Sequence, residues 1–155
     1  MPLEIERKFL LANDAWRDEV VRSYPIRQGY LNTDPERTVR IRTSGDRAWL
    51  TVKGRGDGLV RPEYEYPIPH ADALALLALC EPGLVEKTRH EVRRGSHIWE
   101  VDVFSGENEG LVLAEIELTA ADEAFEQPDW LGAEVTEDSR YTNAALARHS
   151  FSTWP

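Results

Sequence analysis

Pairs of charged residues spaced two apart recur along this chain. The first is Glu4 and Glu6, which Lys8 follows at the same spacing. Successive side chains of a β-strand point to opposite faces, so this spacing places both charges on one face. The other pairs are Arg40/Arg42, Glu63/Glu65, Lys87/Arg89, Glu100/Asp102 and Glu115/Glu117. The pattern predicts a sheet with one face densely lined by both signs of charge, which suits a metal ion and a polyanion.

The alternation of polar and apolar residues predicts the secondary structure. Strands are expected over residues 3–11, 23–32, 37–44, 47–54, 59–69, 84–94, 97–104 and 111–119, with turns at 44–46 and 54–58. Asn13 is a candidate cap for a helix near 14–21, and further helices are expected over 70–80 and 140–149. No long linker or internal repeat divides the chain.

The opposite face of the predicted strands is apolar, with residues such as Ile41, Val52, Val101 and Ile116. The helices are available to cover that face, and the charged face would line a wet channel if the sheet closed on itself. The alternative is an antiparallel sheet that exposes one polar face to water. That alternative suffices for any single pair, but exposed faces normally mix charge with Ser, Thr, Asn and Gln. The complete set therefore favours the channel.

Size and composition narrow the class of protein. The 155 residues fit one domain with a sizeable core, and the net charge of -10 opposes non-specific binding to nucleic acid or anionic lipid. An anionic ligand would therefore need a local basic cluster, a divalent cation, or both. The single cysteine, Cys80, fits a reducing compartment, and no apolar run is long enough to span a bilayer. The expectation is a cytoplasmic protein that binds neither membrane nor nucleic acid.

The ordered set of motifs resembles the CYTH, or triphosphate tunnel metalloenzyme, superfamily over nearly the full length. The motifs are Glu4-x-Glu6-x-Lys8, Arg40-x-Arg42, Lys53-Gly54, Glu63-x-Glu65, Lys87-x-Arg89, Glu100-x-Asp102, Glu115-x-Glu117 and Arg140-Tyr141-x-Asn143. The resemblance implies one α+β domain over residues 1–155, a closed eight-stranded antiparallel barrel that forms a tunnel, with helices packed outside. Members of the superfamily cleave or rearrange triphosphate compounds with Mg²⁺ or Mn²⁺.

The resemblance also implies roles for individual residues. The residues expected to bind phosphate oxygens are Lys8, Arg40, Arg42, Lys53, Lys87 and Arg89. The residues expected to hold metal, directly or through water, are Glu4, Glu6, Glu63, Glu65, Asp102, Glu115 and Glu117. Arginine and lysine suit phosphate oxygens, and hard divalent cations prefer carboxylate and water oxygens, so the chemistry agrees with this division.

Tyr30, in the segment Gln28-Gly29-Tyr30-Leu31, matches a tyrosine of the family. One hypothesis is that Lys8 and Tyr30 position or deprotonate the attacking water. The other is that Lys8 only binds phosphate and Tyr30 only lines the tunnel.

The expected function is metal-dependent hydrolysis of a short triphosphate, with inorganic tripolyphosphate as the first choice of substrate. Hydrolysis of nucleoside or thiamine triphosphate, or adenylate cyclisation, is the nearest alternative, and Trp49 could stack on a nucleobase or simply fill the barrel wall. A polyphosphate- or nucleotide-binding module without turnover and a purely structural barrel are the non-enzymatic alternatives. The apolar outer face also suggests a homodimer.

Overall fold

A closed antiparallel barrel of eight strands forms the body of the protein, in a computed structural model that describes residues 3–56 and 60–155. A ninth strand, β9, lies beside β1. The strands are β1 Leu3–Leu11, β2 Val20–Tyr30, β3 Arg37–Ser44, β4 Arg47–Gly54, β5 Val60–Pro67, β6 Val85–Arg94, β7 His97–Ser105, β8 Val112–Glu117 and β9 Leu131–Glu134. Neighbours follow the order β5-β4-β3-β2-β6-β7-β8-β1-β9, and β1 closes the barrel on β5 through the pair Glu4 and Arg61. The predicted barrel is confirmed.

The outer face of the barrel is apolar and is covered in two places. Trp16, Trp99 and Trp130 are completely or almost completely buried in a cluster over β1, β6, β7 and β8. Helix α1, His70–Leu79, covers β3 and β4 through Ala73 and Leu77. These contacts meet the sequence-based expectation that helices cover the apolar face.

A third apolar cluster lies at one end of the barrel. Val85, Phe104 and Leu113 belong to strands β6, β7 and β8 and have the same parity as the charged residues of those strands. Tyr141 and Leu146, from the C-terminal segment, pack against them. The C-terminal segment therefore covers this end of the barrel. It contains helix α2, Asn143–Arg148, between two short 3₁₀ helices, Ser139–Tyr141 and Phe151–Thr153.

Three predicted details differ from the structure. The helix expected at 14–21 is a 3₁₀ helix, Ala15–Glu19, because the β-branched residues Val20 and Val21 already belong to β2. Asn13 caps no helix, although its side chain accepts a hydrogen bond from the Ala15 N–H at 2.9 Å. The helix expected at 140–149 is split into the shorter helices that flank Thr142, and β9 was not predicted.

Three further expectations concern a turn, membrane spans and assembly. The predicted turn at 54–58 lies partly outside the described residues. Across the part of the chain that the structure covers, no helix combines the length and apolarity needed to cross a membrane. Some large apolar side chains are exposed, such as Leu3 and Tyr66, but the homodimer stays a prediction.

We expect Ile116→Ala to lower the free energy of unfolding by about 2–5 kcal/mol, because Ile116 is completely buried in the cluster on the outer face. Ile98→Ala is the matched control: Ile98 also belongs to a barrel strand but is exposed, so a change within about 0.5 kcal/mol is expected. Urea unfolding measures both values. Equal losses in the two variants would contradict the proposed core.

Candidate functional site

The barrel encloses a cavity of about 1160 Å³ that is lined by charged side chains of both signs. The predicted site residues that line it are Glu4, Glu6, Lys8, Tyr30, Arg40, Arg42, Lys53, Glu63, Glu65, Arg89, Glu115 and Glu117. Lys87 and Asp102 are the two predicted site residues that do not line it, because both side chains are completely buried behind the wall. Closure of the sheet thus brings together residues from distant parts of the chain.

Arg40 and Arg42 form the basic part of the wall on β3. The Arg40 Nη2 atom donates to Thr51 Oγ1 at 3.1 Å and to Glu65 Oε2 at 3.3 Å, while its buried Nε atom has no partner among the described residues. Burial lowers the pKa of Arg42 to about 10, and the neighbouring charges of Arg40 and Arg89 act in the same direction. Guanidinium groups crowded in this way are suited to an anion, which would relieve their repulsion.

Asp102 is the counter-ion of the two cations on β6, Lys87 and Arg89. Arg89 binds both of its carboxylate oxygens, at 2.8 and 2.9 Å, and Lys87 Nζ lies 2.7 Å from Oδ2. Burial opposes ionisation of Asp102, but these two cations outweigh it and lower its pKa. Burial lowers the pKa of Lys87 to about 8, although Asp102 acts in the opposite direction. Both oxygens of Asp102 are occupied, which disfavours the predicted role of Asp102 as a metal ligand.

Three other carboxylates are paired with cations inside the tunnel. Glu4 accepts from Lys53 Nζ at 2.8 and 3.0 Å, and Arg61 Nε lies 3.3 Å from it. Glu63 lies 3.3 Å from Lys53. Glu115 lies between two cations, at 3.6 Å from Lys8 Nζ and 3.7 Å from Arg89 Nη2. Burial opposes ionisation of Glu115, but Lys8 and Arg89 outweigh it and lower its pKa.

Glu6 and Glu117 lack such partners. They face each other in the register of β1 and β8, and neither makes a hydrogen bond or ion pair within the described residues. Burial raises the pKa of Glu6 to about 7, and the charges of Glu115 and Glu4 act in the same direction. Burial also raises the pKa of Glu117, with Glu4 and Glu6 contributing. Carboxylates that are crowded and unpaired in this way fit a cation.

The unpaired carboxylates suit Mg²⁺ or Mn²⁺ that is held only partly by the protein, with water and substrate as the other ligands. Within residues 3–56 and 60–155, no three Asp, Glu, His or Cys side chains already converge on one point. Mg²⁺ is usually held by one or two carboxylates together with water and substrate phosphates, rather than by a cage made of protein ligands alone. The side chains of Glu6 and Glu117 carry carboxylate oxygens of the kind that such a site needs.

The chain matches the model of the CYTH domain over residues 2–151. It belongs to the CYTH domain family. An inorganic triphosphatase of Acetivibrio thermocellus is 44% identical over 155 residues, which cover 99% of each chain. An inorganic triphosphatase of Nitrosomonas europaea is 42% identical over 148 residues, or 93% of this chain and 96% of that protein. The crystal structure of an inorganic triphosphatase superposes with a TM-score of 0.68, at 39% identity over 95% of both chains.

Four residues in or beside the tunnel of this CYTH domain received no functional role from the sequence. Arg61 and Glu100 both line the cavity; Arg61 binds Glu4, and Glu100 lies 3.2 Å from Arg89. Their spacing could have revealed them, since Arg61 precedes Glu63 by two residues and Glu100 was already part of the charge pattern. Gln28 and Asn143 are uncharged, so the same pattern gave no signal for them. Gln28 binds Arg42, and Asn143 Oδ1 accepts from Lys87 Nζ at 3.2 Å.

We expect Glu6→Gln to stabilise the metal-free protein at pH 8. The pKa of Glu6 is about 7 in the folded protein, above the ordinary value of 4.5, so ionisation of Glu6 destabilises the folded state as pH rises through this window. The gain from Glu6→Gln should therefore be complete above pH 7, shrink as pH falls, and vanish below pH 4.5.

Urea unfolding in a chelator, repeated between pH 4.5 and 8.5, measures this dependence. Glu109→Gln removes an exposed carboxylate outside the tunnel and serves as the control, with nearly unchanged stability throughout. A gain from Glu6→Gln that grows as pH falls would contradict the assignment.

Proposed function

We propose that this protein hydrolyses a short triphosphate with the help of a divalent cation, and that inorganic tripolyphosphate is the substrate, cleaved to pyrophosphate and orthophosphate. The observation that carries the proposal is the tunnel in which crowded guanidinium groups face unpaired carboxylates. The two relatives named inorganic triphosphatase, each similar over more than nine-tenths of this chain, support the same activity.

The phosphate chain is proposed to lie against Arg40, Arg42, Lys53, Lys8 and Arg89. Arg40 Nε is a buried donor without a partner in the described part of the chain, and such a donor is costly unless an acceptor is supplied. A phosphate oxygen would satisfy it. Lys87 does not line the cavity, so it is proposed to attract the phosphate chain through its charge and without direct contact. Its ion pair with Asp102, which also binds Arg89, fixes its position.

The metal site is proposed to be built around Glu6 and Glu117, with Glu4, Glu63, Glu65 and Glu115 close by. When bound, Mg²⁺ or Mn²⁺ would neutralise carboxylate and phosphate charge and stabilise the charge that develops during phosphoryl transfer. Glu4 and Glu115 already bind lysine or arginine, so they act through those cations unless the pairs rearrange.

Lys8 is proposed to bind the substrate, and Tyr30 is proposed to position the attacking water. Lys8 Nζ donates to the Tyr141 carbonyl at 2.9 Å and lies 3.6 Å from Glu115, and Lys8 is proposed to bind a phosphate oxygen. Tyr30 is buried in the wall and lines the cavity, where its hydroxyl group can orient the attacking water. This assigns positioning, rather than proton abstraction, to Tyr30.

Hydrolysis of nucleoside triphosphates is the second candidate, because an aromatic ring is available in the cavity. Trp49 lines it, and the guanidinium group of Arg47 lies 5.6 Å from the ring centroid. A base could replace that guanidinium group on the ring.

A panel of substrates tests the proposal. Tripolyphosphate, ATP and thiamine triphosphate are each incubated with Mg²⁺, Mn²⁺ or a chelator, and phosphate, pyrophosphate and cyclic AMP are measured. We expect orthophosphate and pyrophosphate from tripolyphosphate, and no product in the chelator. Tight binding without product would indicate a binding module, and preferential cleavage of ATP would favour the second candidate.

We expect Arg40→Ala to lower kcat/KM for tripolyphosphate by about 10²–10³-fold, because it removes a preorganised donor from the anion site. Arg27→Ala is the control: Arg27 is exposed on β2 and does not line the cavity. Steady-state kinetics should show little change in that variant. A similar loss in both variants would point to a general effect of charge.

We expect Tyr30→Phe to lower kcat by about tenfold or more, with a smaller change in KM, because positioning of the nucleophile acts mainly on the chemical step. The assay is run at saturating metal. Unchanged turnover would remove Tyr30 from the chemistry and leave it as a wall residue.

A further inference from the structure

We propose that Gln28 is a positioning residue that makes the Tyr30 hydroxyl group a hydrogen-bond donor toward the substrate or the attacking water. The inference deepens the proposed function and rests on it. Gln28 is completely buried, does not line the cavity and touches two residues that do. It would therefore act through its neighbours and would not touch the substrate.

The contact with Arg42 determines which way the Gln28 amide faces. Arg42 Nε lies 2.7 Å from Gln28 Oε1. A guanidinium group has donors only, so the amide atom that faces it must be the oxygen. The amide nitrogen must then face the other way. The orientation of the side chain thus follows from the chemistry of its neighbour.

The amide nitrogen meets the Tyr30 hydroxyl group. Gln28 Nε2 lies 3.4 Å from Tyr30 Oη, which accepts the hydrogen bond. This distance is long, as is common for catalytic hydrogen bonds before substrate is bound. Because an amide N–H donates and cannot accept, the phenolic proton of Tyr30 cannot be directed at Gln28 and is left for the cavity.

The backbone around Gln28 holds this arrangement in place. Gln28 and Tyr30 are two residues apart on β2, so they share one face. A Cβ atom on Gly29, between them, would come within 2.8 Å of Leu84 and 3.0 Å of Cys80, so this stretch of β2 packs closely against the end of α1. The Glu81 N–H also donates to the Tyr30 carbonyl at 2.8 Å. Rigid support of this kind keeps a functional side chain in one geometry.

A simpler role is that Gln28 only satisfies the buried Nε atom of Arg42. Gln28→Glu separates the two roles, since it has nearly the same shape. The ionised carboxylate of this variant still accepts from Arg42, but it accepts from Tyr30 as well and draws the phenolic proton away from the cavity. The substitution also adds a negative charge near the anion site. That effect does not depend on Tyr30, so a double-mutant cycle removes it.

The experiment measures kcat and KM for tripolyphosphate in the wild type, Gln28→Glu, Tyr30→Phe and the double variant. We expect Gln28→Glu to lower kcat by about tenfold or more when Tyr30 is present, and by less than about twofold when Phe replaces it. An equal effect in both backgrounds, or no effect in either, would overturn the inference. Circular dichroism and urea unfolding verify folding, and Gln28→Met replaces Gln28→Glu in the cycle if that variant does not fold.

A second readout separates this inference from the proposed function. Calorimetry measures the affinity of the same four proteins, supplied with Mg²⁺, for an imido analogue of tripolyphosphate that cannot be hydrolysed. If the wild type hydrolyses no triphosphate, the proposed function fails, but non-additive losses of affinity would still support the role of Gln28. Additive losses of affinity together with equal effects on kcat in both backgrounds would overturn it, and absence of binding by the wild type would overturn both.

Discussion

The ion pairs around Asp102 are the interaction on which the interior of the barrel depends. Lys87 and Arg89 are buried in the wall, and their charges would be costly there without this carboxylate. Removing Asp102 would leave the buried Lys87 ammonium group without a counter-ion among the described residues and Arg89 with only Glu100 and Glu115. Loss of a partner from a buried ion pair typically costs several kcal/mol. The cluster therefore lets the chain keep cations on the inner face of β6, where a closed barrel without charge would otherwise be filled by apolar side chains.

Charge compensation is uneven along the tunnel, and this unevenness suits two ligands of opposite sign. Near Asp102 the cations and carboxylates are matched. Within the described part of the chain, Arg40 and Arg42 lie together on β3 with one buried donor atom unused, whereas the Glu6 and Glu117 side chains lie together on β1 and β8 and form no ion pair. An anion and a metal ion would each relieve one of these imbalances. A structural barrel would gain stability by pairing all such groups internally, so the uneven distribution argues for function.

The spacing of charge predicted the barrel and most of its lining, because parity along a strand determines which side chains share a face. The spacing could not show which of those side chains form ion pairs with each other and which are left for a ligand. Asp102 and Glu6 have the same parity signature, yet one is buried between two cations and the other is unpaired among the described residues, and only the closure of the sheet decides this.

Strand β9 was missed because four residues, including Gly132, carry no alternation. Gly132 is needed there, since a Cβ atom would lie 2.9 Å from the Leu10 carbonyl oxygen. Gln28 was missed because it carries no charge.

Under the proposed function, the internal ion pairs would couple the binding of metal to the binding of phosphate. For a phosphate chain to bind Lys53 or Arg40, these cations must loosen their contacts with Glu4 and Glu65. The released carboxylates would be unfavourable beside an anion unless a divalent cation takes them up. Conversely, a metal ion bound among the carboxylates would free the lysine and arginine side chains for phosphate. This coupling favours ligands with enough charge to replace several pairs at once, and it explains how a protein of net charge -10 could hold a polyanion.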